Sequence, residues 1–193
     1  MTRNYLTKYE QDFADLVGVQ AARATALGRQ ALAVLLKAVG IQAGDKVGIC
    51  SFTCLSVVES VKVCGGTPIF LDTDESLCID PNEIIRHGSQ QLKVVVLQHT
   101  FGNPGKFDQL LDACEKVGAI VIEDCAHTLG SYWDGKPLGS FGVGATYSFQ
   151  WGKPVTTGQG GFLTVNSDVL NDKVDSIMKL YAVPQSFKSA FTL

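Results

Sequence analysis

Three apolar stretches end in side chains that can do chemistry. "VVVLQHTFG" ends in Gln98, His99 and Thr100, and "AIVIEDCAHTLG" ends in Glu123, Asp124 and His127. "ATYSFQWGKPVTTGQGG" carries Ser148 and Lys153 ahead of a glycine-rich turn. An acid at the end of a buried strand is costly unless it meets a cation or hydrogen bonds. Asp124 therefore needs a partner, and a protonated heterocycle would serve.

The elements that must hold these residues alternate along the chain. Residues 8–17 read as a short helix with Phe13, Leu16 and Val17 on one side, and Gly28 precedes an apolar helix ending near Gly40. "KVGIC" reads as a buried strand, "TCLSVVESVKVCGG" as a helix stopped by two glycines, and "TPIFLD" as a short strand. Asp80-Pro81 starts a helix through about Arg86. "LKVVVLQHT" is an apolar run of strand length, "KFDQLLDACEKVG" is amphipathic at helical spacing, and "AIVIED" is the next buried strand. Gly144 to Phe149 and Gly161 to Val165 read as further strands, and helix returns from Asp168. This alternation predicts an α/β fold in three layers: a mostly parallel central sheet with helices on both faces. Ligands of such sheets bind beyond the carboxyl ends of the strands, where the polar residues above fall.

Bulk composition narrows the function classes. The chain has 193 residues, 46% of them hydrophobic, enough to bury one substantial core. A net charge of -3 and scattered charges give no reason to expect a nucleic-acid or membrane-surface partner. The six cysteines form no CxxC pair, and most lie in apolar runs. They read as reduced, buried small hydrophobes, with neither a disulfide frame nor a metal site. The N-terminal segment is polar and mixed in charge, and no apolar stretch of membrane-spanning length follows. A cytoplasmic location is the expectation. No GxGxxG or P-loop follows the first strand, which argues against a nucleotide-binding doubly wound domain.

Four segments in order, "GDKVGICSFTC…GGTPIFLDTD…IDP", "VVLQHTFGNP", "VIEDCAHTLGSYWDGKPLGSFG" and "YSFQWGKPVTTGQGGFLTV", resemble the DegT/StrS family of fold-type I sugar aminotransferases. The resemblance runs from about Phe13 to about Tyr181. It implies pyridoxal 5'-phosphate (PLP) as cofactor and Lys153 as the Schiff-base lysine. Asp124 matches the carboxylate that pairs with the pyridine nitrogen, and His127 a position near the cofactor's phenolic oxygen. Ser148 matches a phosphate ligand. Gly28, Arg29 and Gln30 fall where the family holds the phosphate, at the start of the first long helix, and His99 falls in the strand-end loop. Physical chemistry agrees with these assignments. An imine-forming lysine must present a free amine. An anionic Asp124 would keep a pyridine nitrogen protonated and the ring electron-withdrawing. A helix N-terminus suits a phosphate.

The resemblance implies transfer of an amino group from an amino acid donor, glutamate foremost, to a keto-sugar, nucleotide-linked by expectation, in a homodimer. Members that dehydrate sugars carry histidine in place of the lysine, so Lys153 argues against that branch. Three departures stand out. Gly28-Arg29-Gln30 differs from the family's Ser/Gly-Thr pattern. Cys54 stands where many members stack an aromatic on the pyridine ring. The chain ends at Leu193, so residues 1–193 read as a single large PLP-binding domain without the C-terminal small domain, and a partner-facing loop is expected to begin after Tyr181. A truncated, non-catalytic relative that binds PLP weakly or serves as a partner is the competing expectation.

Overall fold

A computed structural model describes residues 2–181; the expected partner-facing loop after Tyr181 lies outside the described residues. The elements run in chain order as α1 (Thr2–Val17), β1 (Ala21–Thr25), α2 (Gly28–Ala38), β2 (Lys46–Cys50), α3 (Leu55–Val63), β3 (Thr67–Leu71), α4 (Pro81–Gly88) and β4 (Leu92–Gln98). They continue as α5 (Phe107–Val117), β5 (Ile120–Asp124), the two-residue strands β6 (Tyr132–Trp133) and β7 (Lys136–Pro137), β8 (Gly144–Ser148), β9 (Gly161–Val165) and α6 (Asp168–Tyr181).

Seven strands form one sheet in the order β1-β9-β8-β5-β4-β2-β3. The strands from β3 to β8 pair in parallel, while β9 lies antiparallel to both β8 and β1. The expected mostly parallel sheet is thus present, with an antiparallel edge in addition.

Alternation along each buried strand makes the layers. Val94, Val96 and Ile122 point to one face and pack with Leu32, Leu36, Val61 and Val174 from α2, α3 and α6. Val95 and Leu97 point to the other face and pack with Ile84, Phe107, Leu110 and Cys114 from α4 and α5. A third cluster joins Phe13 of α1 to Tyr147, Phe149 and Phe162, with the Phe13 and Phe162 rings stacked at 4.2 Å. Local signals start and stop these elements. Asp80 caps α4 by accepting the Asn82 N–H, with Pro81 at the first helical position, and α5 ends on Gly118 in the left-handed region. No helix among the described residues is long and apolar enough to cross a membrane.

Leu35 of α2 is fully buried, and its methyl groups fill the space over Gly144 of β8. Leu35→Ala should therefore lose about 2–5 kcal/mol of stability, seen as a lower urea midpoint at unchanged slope. A loss well under about 1 kcal/mol would mean that α2 is not packed on the sheet in this way.

Candidate active site

Strand register assembles the site. Gln98 of β4 pairs with Asp124 of β5, and Asp124 pairs with Thr146 of β8, so three polar residues stand in one row at the carboxyl ends of parallel strands. Ser148, two residues beyond Thr146, shares its face. The row floors a cleft of about 350 Å³ walled by the start of α2, the Phe52–Val57 segment, the Gln98–Phe101 segment, His127 and Lys153. The cleft opens beside β4 and β2, where strand order reverses.

Consecutive acids at the end of β5 face opposite ways. Glu123 is fully buried, and its carboxylate accepts the N–H groups of Gly139 (2.7 Å), Phe141 and Gly142 (2.8 Å each) and a ring N–H from His99 Nε2 (2.9 Å). Burial works against ionisation, but these donors outweigh it and hold the Glu123 carboxyl below the usual range. His99, expected among the cofactor ligands, borders the cleft with Nε2 committed to Glu123. That nitrogen ties β4 to β5 and the 139–142 turn, while the residue itself stays on the cleft wall.

Asp124 turns the other way, into the cleft, and is 7% exposed. One oxygen accepts the Ala126 N–H at 3.0 Å. Burial pushes its carboxyl up, although that N–H and the nearby Lys153 and His127 act in the opposite sense. A cation arriving beside it would be held strongly in this low-dielectric setting. Lys153 Nζ lies 3.0 Å from His127 Nε2. Burial first, then the Lys153 charge, lowers the affinity of His127 for a proton, so its neutral ring accepts the Lys153 N–H.

At the other end of the cleft, α2 begins directly on β8. A Cβ at Gly28 would come within 2.9 Å of Ser148 Cβ, so only glycine permits this approach. Gly28, Arg29 and Ser148 all line the cleft. Arg29 forms a half-exposed ion pair with Glu59 of α3 at 3.1 Å. Gln30, expected with them, is a correction: its N–H returns to the Leu27 carbonyl, and the residue lines a separate groove with Val34 and Lys37. One further helix step has carried it past the cleft. Cys54, exposed on the cleft wall just before α3, has hydrogen bonds from Ser56 that hold its thiol below the usual range, and Lys153 and Arg29 act the same way. The other five cysteines are buried and free.

The sequence reading did not single out Phe101 or Phe52, both exposed and both on the cleft wall. The available signal was a phenylalanine directly after the polar strand end "QHT", where an aromatic has no core to enter.

This donor set fits PLP. A buried carboxylate at the end of β5 suits a protonated ring nitrogen, an amine stands beside a neutral imidazole, and a hydroxyl and a guanidinium flank a helix start that suits a phosphate. Comparison with known proteins agrees. The chain matches the DegT/DnrJ/EryC1/StrS aminotransferase family over residues 1–190 and belongs to that family of PLP-dependent enzymes. GDP-perosamine synthase of Escherichia coli O157:H7 is 36% identical over 171 residues, 88% of this chain and 47% of that protein. The GDP-perosamine synthase of Vibrio cholerae is 34% identical over 170 residues, 88% of this chain and 46% of that one. The X-ray structure of an aminotransferase from Psychrobacter cryohalolentis superposes with a TM-score of 0.86 at 31% identity, over 94% of this chain and 48% of that chain. This chain thus spans about half the length of the relatives it matches.

Glu123 gives the site a pH signature. Its carboxyl is lowered on folding, so the stability it adds is present above the unfolded glutamate value, about 4.3, and fades as pH falls through the folded one. Glu123→Gln should cost about 3 kcal/mol at neutral pH by setting an amide against backbone donors. The gap to wild type should narrow in acid. Denaturant titrations at several pH values check this, and a gap that stays constant would contradict the assignment.

Proposed function

We propose that this chain forms the cofactor-binding part of a PLP-dependent aminotransferase. The reaction moves an amino group from an amino acid, glutamate foremost, to the keto carbon of a nucleotide-linked sugar. One observation carries the reading: Lys153, His127, Asp124 and Ser148 line a single cleft at the carboxyl ends of β5 and β8.

Each residue has a task that its surroundings suit. The Lys153 amine is the attachment point for the cofactor and moves the proton at the reacting carbon. His127 Nε2, 3.0 Å away, accepts a Lys153 N–H and orients the amine. Asp124, buried with one N–H donor, pairs with the cofactor's ring nitrogen and keeps it protonated. Ser148 and Arg29 take the phosphate beside the glycine that lets α2 approach β8. PLP, when bound, supplies an electron sink for charge developing at the substrate's α-carbon. The reading expects a cytoplasmic homodimer. In its support, Phe52 and Phe101 on the cleft wall, and Leu55 and Trp151 next to wall residues in sequence, expose apolar rings and chains. A second reading, a relative that binds PLP weakly and does not turn over, draws on Cys54 at the wall where an aromatic is expected.

The test adds PLP to the purified protein and records absorbance between about 320 and 430 nm, the window of such chromophores. A band should form in wild type and vanish in Lys153→Ala. Asp124→Asn should weaken PLP binding about tenfold or more, the equivalent of roughly 1.4 kcal/mol. A band that survives in Lys153→Ala, or a folded wild type with no band, would sink the reading. A band without transfer from glutamate would favour the second one.

A further inference from the structure

Phe101 combines two properties that rarely coincide. Its side chain is 71% exposed, and its backbone lies in the left-handed region at φ 54° and ψ 29°. Exposed aromatics seldom gain enough from contact to hold a bulky residue there. The flanking residues show what does hold it. His99 is fixed by Glu123, and the His99 carbonyl accepts the Gly102 N–H at 3.2 Å and the Thr128 hydroxyl at 3.3 Å. The Thr100 hydroxyl donates to the Leu77 carbonyl at 2.9 Å and accepts from Gln98 at 2.9 Å. Gly102, also at positive φ, lies against the 127–131 segment, where a Cβ would meet Ser131 Oγ at 3.0 Å. The turn is thus bolted on both sides of Phe101, and its ring lies flat on His127, with centroids 5.5 Å apart and planes 6° apart. The Phe52 ring meets Phe101 edge-on at 6.5 Å.

We infer that Phe101 is a positioning residue: its ring fixes the plane of His127 so that Nε2 faces Lys153 Nζ, and the strained turn exists to deliver that ring. The inference rests on the reading of Lys153 and His127 as working residues. Phe101 acts through the imidazole, and its offset parallel ring covers part of one imidazole face. The charged groups acting on His127 are Lys153 and Asp124, and both remain when Phe101 changes.

The test compares wild type, Phe101→Gly and Phe101→Tyr without cofactor. Melting temperature, the imidazole titration of His127 by NMR and the acylation rate of Lys153 by peptide mass are read for each. Glycine adopts the left-handed backbone freely, so Phe101→Gly should melt at or above wild type. Its His127 should nonetheless titrate higher, towards the ordinary imidazole value, and the Lys153 rate should change severalfold. Phe101→Tyr should keep both readouts at wild type. An unmoved His127 and Lys153 in Phe101→Gly overturn the inference, and so does a large drop in its melting temperature, which would make Phe101 a packing residue. The PLP band of wild type is scored separately. No band beside a shifted His127 sinks the functional reading and leaves the positioning role standing. A band beside an unmoved His127 does the reverse.

Discussion

A buried anion organises the carboxyl end of the sheet. Glu123 sits where water does not reach, so its charge is tolerable only because three backbone N–H groups and an imidazole are aimed at it. Those donors come from β4's end and from the 139–142 turn that leads into β8. One side chain thereby sets the relative positions of three strand ends. The cleft inherits that rigidity, because Gln98, Asp124 and Thr146 occupy the row that the same strands define.

The two-residue period of a strand then separates structure from chemistry within a dipeptide. Glu123 faces the α4–α5 side and is saturated by the protein. Asp124 faces the cleft with a single N–H donor and a carboxyl that burial has pushed up. The first is held ionised by its own fold; the second is left wanting a cation.

Much of this was legible in the residues. The runs "VVVLQ" and "AIVIED" gave strands because continuous apolar residues suit a sheet covered on both faces, and the polar residues after them fell at the cleft as the topology requires. β1 was not legible: "AARAT" has little strand character, and its pairing is with β9, far along the chain. The His99–Glu123 bond was also hidden, since nothing in sequence says which ring nitrogen a carboxylate 24 residues away will take. Gln30 shows the limit of a motif read as a block, because adjacent helical residues point about 100° apart. Phe101 was missed because its importance lies in a backbone angle, and letters do not carry angles.

The Arg29–Glu59 pair has a consequence of its own. Both partners are about half exposed, and such pairs contribute roughly 0–1 kcal/mol in water. The guanidinium is therefore on loan to Glu59. An anion entering the cleft trades one weak contact for another at little net cost, and dissolved salt competes for the same charge within a Debye length of about 8 Å. Ionic strength thus acts on this wall of the cleft twice, by loosening the latch and by screening whatever would replace it.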